Sequence, residues 1–136
     1  MTPLDALITL SHDLGAEHRQ LAILGEGNTS TSLGDGTFLV KASGSSLGSI
    51  GSEGFTRVHL APVLEALDEP DLDDSAIRAR LKAARVDPKA RLPSVETFLH
   101  AVCLTEGSAQ WVGHTHPVSV LGILCSQAGA EPFRRH

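Results

Sequence analysis

No stretch of this 136-residue sequence approaches the ~18 consecutive apolar residues that a membrane-spanning helix needs, so no transmembrane segment is expected. Its 11 Lys and Arg residues do not gather either. The densest run, Arg78 to Arg91, is interrupted by Asp87 and Pro88, and the net charge is −5. Neutralising nucleic-acid phosphates takes clustered basic side chains, which excludes nucleic acid as the expected partner. Cysteine is scarce. Cys103 and Cys125 both lie in apolar helical patterns (FLHAVCL and VLGILCS), so two free, buried thiols are expected rather than a disulfide. The opening MTPLDALITL has no basic stretch and carries Asp5, so it does not read as a signal peptide, and a soluble cytoplasmic chain is the expectation. The composition, 41% apolar and 20% charged, is that of a globular chain. One domain spanning 1–136 is expected, and a chain this long buries roughly two thirds of its unfolded surface without disulfides.

The pattern along the chain mixes helices and strands. Residues 3–20 read as an opening helix, with Leu4, Leu7, Ile8 and Leu14 near one face. The Gly-rich segment GEGNTS follows. Asp35-Gly36 then separates a short polar strand from TFLVKAS, and Asp-Gly suits a tight type I′ hairpin turn. After a Gly/Ser-rich loop at 43–54, helices are expected near 56–67 and 73–86, the second capped by Asp73 or Asp74. A further helix starts at Pro93-Ser94. QWVGHTH reads as a strand, and Pro117 opens a helix running to about Gln127. A layered α/β architecture follows. The chain stops at EPFRRH without a further element to complete a sheet, so it reads as a domain cut short at its C-terminal end.

Three segments can carry chemistry. The sharpest is His114-Thr115-His116-Pro117 at the end of a predicted strand. Side chains at i and i+2 of a strand share a face, so both imidazoles can converge on one ion such as zinc. The site then falls at the carboxyl edge of the strand, where open α/β sheets often bind ligands. The alternative is two surface histidines beside a turn. Glu96 follows Ser94 by two residues in the first turn of a helix. Its carboxylate is either a general base or metal ligand, or a charge placed to favour the helix N-terminus. His100 lies one turn on and can pair with it. Third, GEGNTS (25–30) and KASGSS (41–46) offer backbone N–H groups and neutral side-chain donors that suit an anion, though such loops are also plain turns. They match neither a P-loop nor a dinucleotide fingerprint. His12 and His18 read as a solvated helix face, His59 as bordering the core, and Trp111 as packing.

Taken in order, GEGNTS, KASGSSLG, LPSVETFLH and VGHTHP resemble the four motifs of the class II aldolase/adducin family: its Gly-Gly-Asn loop, its Ser-Gly segment, its Pro-Ser-Ser-Glu helix start and its His-x-His-Pro metal motif. The loops EGNTS and LVKASGSSLG are most similar to the aldolase halves of bifunctional rhamnulose-phosphate aldolase/dehydrogenase proteins. The resemblance implies a three-layer α/β/α fold around a mixed, mostly antiparallel sheet, in a homo-oligomer (usually a tetramer) with sites near subunit interfaces. It implies zinc on His114 and His116, Glu96 as the acid/base, and Asn28, Thr29, Ser43, Gly44 and Ser94 around the phosphate of a small sugar-phosphate substrate. The activity implied is retro-aldol cleavage.

Two departures accompany the resemblance. Val95 stands where the family often has a second serine, and the family's third histidine ligand should fall well beyond residue 116, where His136 is the one later histidine. Three other readings keep the same motifs: a sugar-phosphate epimerase or dehydratase, a non-catalytic adducin-like interaction module, and an inactive fragment.

Overall fold

The computed structural model describes residues 1–70 and 72–127. Helix α1 (Pro3–Leu14) begins at a reciprocal cap: Asp5 N donates to Thr2 Oγ1 at 3.1 Å, and Thr2 N donates to the Asp5 carboxylate at 2.9 Å. Two otherwise orphaned N–H groups are thereby paired. The helix ends at Gly15 instead of reaching residue 20, and 17–19 form a single 3₁₀ turn. The reason is a close backbone crossing. The turn at Leu47–Ser49 passes so near Gly15 that a Cβ there would stand 2.6 Å from the Leu47 carbonyl carbon.

Four strands follow, β1 (Asn28–Ser32), β2 (Thr37–Lys41), β3 (Phe55–His59) and β4 (Trp111–His114), in the sheet order β3-β2-β1-β4. Every pairing among the described residues is antiparallel. Helices cover both faces, giving an α/β fold of three layers. The period of two along the strands sorts side chains between those layers. Phe38, Val40, Val58 and Val112 face a core that includes Val63, Ala84, Ala101 and Leu104. These come largely from α2 (Leu60–Glu65) and α4 (Thr97–Thr105). Leu39 and Trp111 face the opposite way, onto Leu7 of α1 with Ile50 and Phe55. The central strand β1 is the exception to apolar burial: Asn28, Thr29, Ser30 and Thr31 are all fully buried.

Four expectations are corrected. Residues 55–59 form an edge strand, not the start of a helix at 56: Thr56 and Val58 are buried while Arg57 and His59 are exposed, a period of two that suits β-branched side chains. His59 therefore ends a strand. The β1–β2 connection is a four-residue loop, 33–36, and not a two-residue type I′ turn. Gly34 (φ +75°) and Gly36 (φ +79°) take the left-handed conformations, whereas a type I′ turn on Asp35-Gly36 needs positive φ at both residues. Asp35 instead accepts from Thr37 N and pairs with Arg57. The helix at Pro93 starts later, at Thr97, because Ala42 bridges Pro93 in a short extended contact. Cys125 is exposed and Cys103 partly buried, both as free thiols. α3 (Asp74–Ala83) is capped as expected, with Ala76 N donating to Asp73 at 2.7 Å. α5 (Val118–Leu124) follows Pro117 directly and has no buried residue. His136 and the EPFRRH end lie outside the described residues.

The Gly15 crossing is directly testable. Gly15→Ala must push the Leu47–Ser49 turn off α1, and we expect a loss of about 2 kcal/mol or more, in the range of overpacking substitutions. Urea denaturation of the two chains measures it, and unchanged stability would show that the crossing has slack.

Candidate metal centre

The end of β4 meets the start of α4 across the sheet edge. His114 is the last residue of β4 and is paired with Asn28 of β1, so His116 lies beyond the strand that was expected to carry both, and the two rings do not meet as i and i+2 of one strand. Beyond it the chain is held by backbone: His116 N donates to Leu21 O at 2.8 Å and Val118 N to Gln20 O at 3.0 Å. The two imidazoles converge, with their Nε2 atoms 3.2 Å apart. Ring nitrogens this close share either a proton or an ion. Glu96 completes the group, with Oε2 at 3.7 Å from His114 Nδ1 and Oε1 at 3.8 Å from His116 Nε2. One ligand atom from each of Glu96, His114 and His116 falls within 4.8 Å of the others. All three side chains are part-buried, between 26% and 29% exposed. His114 Nδ1 is moreover a buried nitrogen without a hydrogen-bond partner. Two imidazoles, one of them with an orphaned ring nitrogen, and one carboxylate are a donor set compatible with a divalent metal.

The alternatives for Glu96 fit less well. It occupies the N-cap position of α4, but its side chain makes no capping bond. Nor does it engage the His100 ring, whose Nδ1 lies 2.7 Å from Ser30 Oγ. His100 is fully buried, and its pKa is pushed from the ordinary 6.5 down to about 4, first by burial and then by the neighbouring His114, with Glu96 opposing.

The residues expected around a phosphate fall into two groups. Asn28 sits opposite His114, and both polar atoms of its buried amide lack partners among the described residues. Thr29 points the other way, with its hydroxyl 2.6 Å from Ser11 Oγ on α1, so only its backbone faces β4. Ser43, Gly44 and Ser94 gather around the Ala42–Pro93 bridge. Ser43 and Ser94 line a cavity of about 290 Å³ with Arg78 and the exposed Val95, whereas Gly44 opens onto a neighbouring polar cleft beside Arg91. A cavity of about 450 Å³ lies at the far end of β1 around Ser32 and Gln110, and no titratable side chain is among the residues that line it.

Three contributors escape a reading by motif. Lys41 is buried and ties the two glycine-rich loops together, with Nζ donating to Gly25 O and Ser45 O, each at 2.8 Å. Burial pulls its ammonium below the usual range, against the pull of Glu96. Arg91 braces the second loop by donating to Ser43 O and Ser45 Oγ, each at 2.9 Å. Glu26 places its carboxylate 3.7 Å from His116 Nδ1. Alternation in TFLVK puts Lys41 on the same face as Leu39, but no local signal marks the other two.

Residues 5–136 match the family model described as the class II aldolase and adducin N-terminal domain. The solved N-terminal class II aldolase domain of a conserved protein from Thermoplasma acidophilum superposes with a TM-score of 0.83 at 31% identity, covering 98% of this chain and 64% of that one. L-fuculose-1-phosphate aldolase from Thermus thermophilus shares the fold, with a TM-score of 0.57 at 20% identity over 92% of this chain and 51% of that one. Among curated proteins, the uncharacterized oxidoreductase YuxG of Bacillus subtilis (strain 168) is 27% identical over 135 residues. That match takes in 93% of this chain but 19% of YuxG, so the chain spans about a fifth of that relative's length.

Burial of neutral His100 makes stability depend on pH with a definite sign. Its folded pKa is below its unfolded value, so the contribution is complete above pH 6.5 and is lost as pH falls toward about 4. The full loss amounts to about 3 kcal/mol. Urea denaturation across that window should show a steeper decline for the natural chain than for His100→Gln, and parallel declines would contradict the assignment.

Proposed function

This chain belongs to the class II aldolase and adducin family, and from that premise we propose that it is a zinc-dependent aldolase-type lyase acting on a sugar phosphate. The observation that carries the reading is the convergence of Glu96, His114 and His116 within 4.8 Å. An adducin-like interaction module needs no such donor set, and an inactive remnant has no reason to keep one. His114 and His116 would hold the ion, and zinc suits imidazole nitrogen beside carboxylate oxygen. A bound zinc ion supplies positive charge that stabilises the negative charge developing on a ketose when its C–C bond breaks.

The remaining work falls to this chain's own side chains. Glu96 moves the proton: a carboxylate oxygen beside the two imidazoles takes it from the substrate hydroxyl as the bond cleaves and returns it to carbon. The unpartnered Asn28 amide, directly across from His114, offers both a donor and an acceptor to the reacting end. Ser43, Gly44 and Ser94 hold the phosphate, so that binding at the non-reacting end orients the carbon that reacts, while Thr29, fully buried in the sheet, takes no part in the grip. Lys41 keeps the two loops in register and has no need to form a Schiff base. Val95 in place of a hydroxyl leaves one fewer donor on that grip, and the same cavity carries Arg78 together with Asp74. The exposed apolar side chains of α5, among them Val118, Ile123 and Leu124, support a homo-oligomer, which we propose is a tetramer in the cytoplasm.

Elemental analysis of the purified chain beside a His114→Ala/His116→Ala variant tests the metal. Near-stoichiometric zinc is expected in the first and none in the second. With zinc bound, cleavage of ketose 1-phosphates is expected, and Glu96→Gln should slow it about 10²- to 10⁴-fold, the span typical of a lost acid/base group. A folded natural chain that takes up no divalent metal would overturn the reading.

A further inference from the structure

Glu26 lies in the glycine-rich turn before β1, outside the group of three that converges on the candidate ion site. The backbone holds it beside His116 from several directions. Glu26 N donates to Ile23 O at 3.0 Å, and the carbonyl of Gly25 accepts from buried Lys41 at 2.8 Å. Gly27 has φ +74°, and a Cβ there would stand 3.0 Å from His114 O, so this turn presses directly on the end of β4. His116 is anchored to the same loop through Leu21 O. Both partners are therefore fixed to one stretch of chain, residues 20–27.

The two sides of the His116 ring face different company. Nε2 faces His114 Nε2 at 3.2 Å and Glu96 at 3.8 Å, whereas Nδ1 faces Glu26 Oε2 at 3.7 Å. Glu26 makes no other ion pair among the described residues, and Lys41 directs both of its bonds to carbonyls instead. At 3.7 Å the contact falls short of a hydrogen bond, and the carboxylate, 43% exposed, is not held elsewhere by another partner among the described residues. A histidine that binds a metal through one nitrogen ordinarily donates its other N–H to a carboxylate or carbonyl, which fixes the tautomer and makes the ligand more basic.

We propose that Glu26 is the positioning residue for His116: its carboxylate accepts the Nδ1–H hydrogen bond and leaves the Nε2 lone pair aimed at the ion site. This assignment rests on the metal reading above and adds a second carboxylate with a separate duty. Glu96 stands on the ligand side of the ring, where it can reach ion and substrate. Glu26 stands behind the ring and acts only through it. The charge sum is also eased: two carboxylates beside two neutral imidazoles balance a dication.

Two measurements on the full chain test it, with Co²⁺ alone as the probe ion. Nitrogen NMR of the metal-free chain at about pH 8, above the imidazole range, should show His116 as the Nδ1–H tautomer. Glu26→Ala should lose that preference, and Glu26→Gln should keep it, because the amide oxygen still accepts the proton. Titration with Co²⁺ against a competing chelator should show about 10- to 100-fold weaker binding for Glu26→Ala, with Glu26→Gln between. An unchanged tautomer and unchanged Co²⁺ affinity in Glu26→Ala would overturn the role of Glu26 while leaving the metal site standing. Equal loss in both variants would overturn the tautomer argument in favour of charge alone. Failure of the natural chain to bind Co²⁺ would overturn the metal reading and this inference with it. Thermal unfolding of each variant confirms that it is folded, and Glu26→Leu, which fills the same space without an acceptor and should lose the tautomer preference, decides the question if Glu26→Ala is not.

Discussion

The rest of this structure depends on burying a strand made wholly of polar side chains. β1 reads NTSTS and sits inside the sheet, with Asn28 to Thr31 fully buried. An unpaired buried hydroxyl costs on the order of 1–3 kcal/mol, so each of these must find a partner. Thr29 finds Ser11 on α1, Ser30 finds His100 on α4, and Thr31 finds the carbonyl of Gln110 ahead of β4. Three elements distant in sequence are thus pinned to one strand by directional bonds rather than by apolar contact alone. Greasy contacts tolerate sliding, and hydrogen bonds of this kind do not.

Asn28 breaks the pattern, and its position explains why that is informative. Both ends of its amide are buried without a partner, directly opposite His114. The same register that satisfies Thr29, Ser30 and Thr31 delivers the one unsatisfied amide to the point where the imidazoles meet Glu96. Buried His100 lies behind, with its ring centroid 6.1 Å from that of His114, held neutral by burial and bonded to Ser30. The inner wall of the site is therefore buried and uncharged, while its carboxylates come from the rim.

The rim is organised by Lys41. A buried ammonium is costly unless its donors are used, and here both loops are recruited to use them. Bonds to Gly25 O and Ser45 O draw the turn that carries Glu26 and the segment that carries Ser43 and Gly44 toward the same strand end. Arg91 then braces the second loop from outside. Two stretches rich in Gly and Ser, with little apolar surface of their own, become walls because a single cation bridges them.

Local sequence was enough for the layered α/β class, the helix cap at Asp73 and the choice of His114 and His116 as candidate ligands, since these follow from periodicity, capping chemistry and close spacing, whereas Glu96 reads first as a helix-start charge and joins them through the family resemblance. It misjudged the stop of α1 and the start of β3. The first is set by a backbone crossing at Gly48, and the second by a five-residue alternation too short to stand out from a helix beginning at once after it. Other features exist only in the assembled fold: Thr29 turns toward α1, Asn28 faces His114, Lys41 joins the loops and Glu26 stands behind His116. The difference is one of range. Caps and periodic faces are settled within a turn or two of chain, whereas strand register and the partners of buried polar groups are settled by residues far apart in sequence, and no local pattern records them.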